Sequence, residues 1–159
     1  MTLAYIGLGA NIGEPGRQLQ SALEELKALP RSRVTAVSGV YRSAPIGFLD
    51  QPEFLNAAAQ LDTDLPPEEL LEALQEIERR HGRERPFAGA PRSLDLDLLL
   101  YGEATAATGR LELPHPRMHE RAFVLMPLAE IAPEITIPGR GKARDLLAAC
   151  RDQRVERIV

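Results

Sequence analysis

Residues 93–101 read SLDLDLLLY. The alternation is that of a β-strand, with Asp95 and Asp97 on one face and Leu94, Leu96, Leu98 and Leu100 on the other. The leucines predict a strand anchored in a core. Two carboxylates at i and i+2 repel, and one would take up a proton unless a cation compensates. Magnesium is an efficient compensator, because it binds through one or two carboxylates together with phosphate oxygens and water. Two ions sharing the pair could clamp both sides of a phosphoryl displacement. The alternative is a strand face whose acids are offset by nearby arginines.

The flanking residues favour the metal reading. Arg83 and Arg85 lie in the loop before the strand and Arg92 at its mouth, while His115 and Arg121 fall in a later loop beside Pro114 and Pro116. All of the 19 basic residues except Lys27 and Lys142 are arginine, whose planar fork of donors suits phosphate oxygens. Arginines converging on a metal-bearing strand are what a triphosphate requires. His115 and His119 have the i, i+4 spacing of a helical zinc site, but the prolines around His115 oppose regular helix there. Phe54 and Asn56 share a strand face, preceded by SAPIG (43–47), and Phe123 follows Arg121. In a chain with 4 Phe, 3 Tyr and no Trp, two phenylalanines near polar loops suggest a stacking slot for a flat heterocycle, with core packing as the alternative.

Outward from this strand, residues 2–9 (TLAYIGLG) read as a buried strand and 15–29 as an amphipathic helix with Leu19, Ala22, Leu23 and Leu26 on one side. Residues 33–42 are strand-like through their β-branched content, 43–52 form a loop, and 53–63 a returning strand. Pro66 and Pro67 open a helix with Leu70, Leu71, Leu74 and Ile77 as its stripe, ending near Gly82. This order, βαββαβ, predicts an α+β ferredoxin-like fold, a mainly antiparallel sheet with both helices on one face. From about residue 102 the sequence adds a hairpin-like segment, a loop, a short helix around FVLMPLAEI (123–131) and a C-terminal helix near 142–150. GLGANIG (7–13) invites a dinucleotide-binding reading. Its spacing departs from GxGxxG, and too few strands alternate with helices for a doubly wound sheet, so a turn-and-packing role is preferred.

The length of 159 residues suits one domain, residues 1–159. No segment approaches the apolar run that a membrane span needs, and the N-terminus lacks a basic leader with a long apolar stretch, so the cytoplasm is the expected compartment. The lone Cys150 has no partner for a disulfide or a zinc knuckle. A net charge of −4, without aromatic RNA-binding patches, argues against a nucleic-acid partner.

These motifs together carry a resemblance over almost the whole chain: AYIGLGANIG, YRSAPIGFLDQPEFLNAA, EELLEALQEIERRHGRER, APRSLDLDLLLYG and LELPHPRMHERAFVLMPLAEIAPE. The sequence resembles the 6-hydroxymethyl-7,8-dihydropterin pyrophosphokinases of folate biosynthesis. The resemblance implies a ferredoxin-like fold, transfer of pyrophosphate from ATP to the pterin's hydroxymethyl oxygen with release of AMP, and two magnesium ions. It implies that Asp95 and Asp97 hold both ions and that Arg83, Arg92, His115 and Arg121 contact the triphosphate, with Arg83 and Arg92 catalytic alongside the two aspartates. Leu71, Gln75, Leu98 and Arg110 would line the ATP site, Glu78 would lie near metal and nucleotide, and Arg85 would enter from the preceding loop. Phe54 and Phe123 would sandwich the pterin, Asn56 would bond its edge, and Ser43, Ala44, Ile46 and Asp95 would add contacts. The expected partners are these two substrates, with the chain a monomer or, alternatively, a dimer. Two departures stand out: Ala88, Gly89 and Ala90 replace a stretch with a family tryptophan, for which Phe87 could substitute, and Glu112 stands where a threonine often contacts nucleotide.

Overall fold

The computed structural model describes residues 1–11, 14–43, 54–81 and 94–158. Its central strand is β1 (Thr2–Ala10), which pairs antiparallel with β4 (Phe54–Thr63) on one side and with β5 (Asp95–Tyr101) on the other. Beyond β4 lie β2 (Ser32–Val37) and β3 (Tyr41–Ser43), both antiparallel to it, and β10 (Val155–Arg157) adds to β3 at the edge. Two helices return the chain between strands, α1 (Pro15–Lys27) and α2 (Pro67–Arg80). Ala4, Ile6 and Leu8 of β1 bury with Leu19, Ala22 and Leu26 of α1 and Leu70, Leu74 and Ile77 of α2. Both helices therefore cover one face, as the βαββαβ order predicts.

Sequence chemistry explains the helices. Each begins with proline in its first turn, where the missing N–H costs no hydrogen bond and the fixed φ suits the helix. In α2, Glu68 and Glu69 occupy the first turn and Arg79 and Arg80 the last, complementing the backbone dipole.

The opposite face is covered by α3 (Ala122–Ile131) and α4 (Ala143–Ala148), which bury Val124, Leu125, Leu128 and Ala143 against Tyr5, Leu99 and Leu100. Between β5 and α3 come the ribbon β6 (Ala106–Thr108) and β7 (Leu111–Leu113), then a 3₁₀ turn at Met118–Glu120. A second small ribbon, β8 (Thr136–Ile137) and β9 (Gly141–Lys142), precedes α4. The first face bears the ferredoxin-like helices, and the second, which also presents the aspartates, carries an added layer packed on Tyr5, Leu99 and Leu100.

Two expectations need correction. Leu100 does not share a face with Leu94, Leu96 and Leu98: Ile6 pairs with Leu98 but Tyr5 pairs with Leu100, so a bulge at Leu99 flips the alternation. The strand expected over 33–42 is broken at 38–40, where Ser38 Oγ donates to Gly39 O at 2.7 Å and accepts the Ala58 N–H at 2.9 Å. Gly7 and Gly9 lie within β1, in line with the strand read over residues 2–9.

Candidate active site

Strand register builds the site. Across the sheet, Asp95 lies opposite Gly9, Gly9 opposite Asn56, and Asn56 opposite Tyr41; one step along, Asp97 lies opposite Gly7. Directly opposed residues share a face, so both carboxylates stand beside a strip of β1 that carries no side chain. A Cβ on Gly9 would come within 3.4 Å of Asn56 Oδ1 and 3.9 Å of Phe54 Cδ1. Asn56 is buried, and its Nδ2 donates to Ser43 Oγ at 2.7 Å. That bond leaves Oδ1 turned toward the space above Gly9, with the Phe54 ring beside it.

On the outer side of β5 a cavity of about 260 Å³ is lined by Leu71, Gln75 and Glu78 of α2, Leu96 to Leu98 of β5, Arg110 to Glu112, His115 and Pro116. Its base is organised by Glu78, which is 4% exposed and accepts the Leu96 N–H at 2.8 Å. The N–H lies between the two aspartates on β5, the edge strand among the described residues, and Glu78 supplies the acceptor that no further strand among them provides. At the rim Arg110 Nη2 donates to Gln75 Oε1 at 3.2 Å and its Nη1 lies 3.9 Å from Glu72.

His115 joins the cavity to the carboxylates. Its backbone N–H donates to Leu99 O at 3.0 Å, and its Nε2 lies 4.0 Å from Asp97 Oδ1. The Arg117 N–H approaches Nδ1 at 3.4 Å, which places the ring proton of the neutral imidazole on Nε2. Burial pushes the His115 pKa below its ordinary value, against the opposing pull of Asp97, and Arg121 and Arg117 push it further down. The lowered pKa favours the neutral imidazole, a donor rather than a cation. Arg121 precedes α3, and its guanidinium lies 5.5 Å from the centre of the Phe123 ring, within cation–π range.

A carboxylate pair beside a bare strip, a polar cavity on one side and an amide with an aromatic ring on the other are compatible with several phosphoryl transfers. The family model for 7,8-dihydro-6-hydroxymethylpterin-pyrophosphokinase matches residues 5–133. The chain belongs to this family. Within it, the 2-amino-4-hydroxy-6-hydroxymethyldihydropteridine pyrophosphokinase of Pseudomonas aeruginosa is 48% identical over 97% of this chain and 95% of its own length. The enzyme of the same name from Methylorubrum extorquens is 48% identical over 99% of each chain. A crystal structure of Plasmodium falciparum HPPK-DHPS with pteroate shares the fold, at TM-score 0.74 and 13% identity over 93% of this chain and 42% of that one.

In this pyrophosphokinase-family chain, the structure brings Leu71, Gln75, Glu78, Asp97, Leu98, Arg110 and His115 to one cavity. Ser43, Phe54, Asn56 and Asp95 lie along the face that contains Gly9. Arg121 and Phe123 are brought together by their ring contact. Ala44, Ile46, Arg83, Arg85 and Arg92, with Phe87, lie outside the described residues. Sequence reasoning missed Leu96, Leu111 and Pro116 as cavity walls, and it missed the strip at Gly7 and Gly9, where the Leu99 side chain lies 3.4 Å from the Cβ position of Gly7. The strip had a visible signal: two glycines at i and i+2 in β1 mirror the two aspartates at i and i+2 in β5.

Proposed function

We propose that this chain transfers the pyrophosphoryl group of ATP to the hydroxymethyl oxygen of 6-hydroxymethyl-7,8-dihydropterin, releasing AMP. The observation that carries the reading is the row Asp95, Gly9, Asn56. A single bare residue separates the carboxylate strand from an amide acceptor suited to the N–H edge of a pterin, a span of roughly 10 Å at ordinary strand spacing. The flat ring lies over Gly9 between Phe54 and Phe123, with Ser43 fixing the Asn56 amide, and its hydroxymethyl group points to Asp95 and Asp97.

ATP occupies the adjoining cavity. Gln75, Arg110, Leu71 and Leu98 hold its nucleoside end, while His115 donates from Nε2 to a phosphate oxygen and Arg121 supplies positive charge where it accumulates. Arg83, Arg85 and Arg92 complete the triphosphate site in this reading, and Ala44 and Ile46 complete the pterin slot. The pterin alcohol attacks the β-phosphorus as the bond to the α-phosphate oxygen breaks, and AMP leaves. Such a displacement needs alignment and charge neutralisation more than a covalent nucleophile.

Two carboxylates on one strand face, with no side chain opposing them on β1, form a donor set suited to magnesium. Asp95 and Asp97 would hold two ions, which when bound neutralise phosphate charge and favour the ionised alcohol. The test is thermal shift: a non-hydrolysable ATP analogue raises the Tm only with magnesium, the pterin raises it further, and Asp97→Ala loses the magnesium-dependent part. Stabilisation by the analogue that is indifferent to magnesium would overturn the assignment.

A further inference from the structure

The backbone around Arg121 is held by a residue far along the chain. Gln153 Oε1 accepts the Ala122 N–H at 2.9 Å, and Gln153 Nε2 donates to Glu120 O at 2.7 Å. Those two groups belong to the peptides on either side of the Arg121 Cα. The helix α3 has no side-chain cap from its own N-cap residue, so Gln153 supplies an acceptor for its first N–H from outside the helix. Gln153 is itself fixed, since its backbone N–H donates to Cys150 O at 2.9 Å and Cys150 is buried in the core beneath α3 and α4. The remaining Arg121 backbone groups are also bonded: its N–H to Met118 O at 3.3 Å, its carbonyl to the Val124 and Leu125 N–H groups at 3.1 and 3.0 Å.

We infer that Gln153 is a positioning residue for the transfer reaction, a two-point clasp that sets the Arg121 backbone and thereby aims the guanidinium. The inference rests on the proposed role of the Arg121 side chain. It concerns a residue beyond the 5–133 span that the family model covers. Arg121 has four side-chain torsions and a weak ring contact to limit them. A backbone held at both flanking peptides fixes the origin from which those torsions act, and a misplacement of about 1 Å at a reacting centre can cost about 100-fold in rate.

Gln153→Leu keeps the shape and removes both bonds, whereas Gln153→Glu keeps the acceptor for Ala122 N–H and loses the donor to Glu120 O. The Arg121 Nε–H resonance of the free protein, assigned by its loss in Arg121→Ala, reports the ring contact without any turnover. It is shifted by the Phe123 ring in the wild type, moves to an unstructured position in Gln153→Leu, and falls between the two in Gln153→Glu. In pterin-dependent AMP release, Gln153→Leu lowers kcat about tenfold, and the same substitution in an Arg121→Ala background lowers it less than about twofold, because the effect passes through Arg121. An unshifted resonance in folded Gln153→Leu, or losses that multiply in the double variant, would overturn the clasp. Should Gln153→Leu not fold, Gln153→Glu decides by the same two readings. Should the wild type release no pterin-dependent AMP, the proposed reaction fails while the resonance still decides the clasp.

Discussion

The Glu78 carboxylate of α2 accepts the backbone N–H of Leu96 at 2.8 Å, at the residue that separates Asp95 from Asp97. A helix on one face of the sheet therefore fixes the edge strand that presents both carboxylates to the other. Glu78 is 4% exposed, and loss of its oxygen leaves a buried donor without its acceptor, at a cost of about 1–3 kcal/mol. Glu78→Ala is expected to lower stability by that amount in denaturant unfolding and to reduce turnover. Glu78→Gln, which retains an acceptor oxygen, is expected to recover most of the stability. Equal losses in the two variants would show that charge, rather than the bond to Leu96, is what matters at this position.

Gly9 is an inviting place to separate the pterin slot from the ATP cavity. Its Cβ position is 3.4 Å from Asn56 Oδ1, and Gly9 is paired in regular register with Asn56 and Asp95. Gly9→Val projects branched carbon over the floor on which the pterin is proposed to lie. We expect its KM for pterin to rise at least about tenfold, the loss of roughly 1.4 kcal/mol of binding, while the KM for ATP changes little. A matched rise in both constants would point to distortion of β5 instead.

Tyr41 offers a pH prediction away from the reacting groups. Burial, then the Glu130 carboxylate that its hydroxyl contacts at 2.5 Å, push its pKa from 10.0 up to about 12, with Arg157 opposing. The native state thus holds the phenol proton where the unfolded chain has begun to release it. The stability contribution is complete below pH 10 and declines as the pH rises through about 12. Absorbance titration near 295 nm should show one tyrosine ionising about two units late, and Tyr41→Phe should remove that component. Glu130 also accepts the Gly39 N–H at 3.1 Å, so the variant also reports how α3 is tied to the break between β2 and β3.

How far the sequence could be read follows from where each signal is local. The strands β1, β4 and β5 and the helices α1 and α2 were legible because apolar periodicity and proline punctuation act within each segment. Tertiary detail was not: a bulge at Leu99 reverses Leu100, Ser38 interrupts a β-branched stretch by bonding across to Ala58, and β10 is three residues stabilised by pairing with β3. At the site, the aspartates stood out because like charges on a buried strand demand compensation. The matching glycine spacing was visible but gains its meaning only once β1 lies beside β5, and Gln153 gave no signal because its backbone clasp exists only with residue 153 beside α3.

The central claim is that the unit transferred is pyrophosphate and that Asp95 and Asp97 support its transfer. The most direct measurement is the identity of the nucleotide and pterin products after incubation of the magnesium-loaded protein with ATP and 6-hydroxymethyl-7,8-dihydropterin. The account predicts AMP and pterin diphosphate in equal amounts, dependent on both substrates and reduced at least about 100-fold by Asp97→Ala. ADP with a pterin monophosphate, AMP formed without pterin, or near wild-type turnover by Asp97→Ala would contradict it.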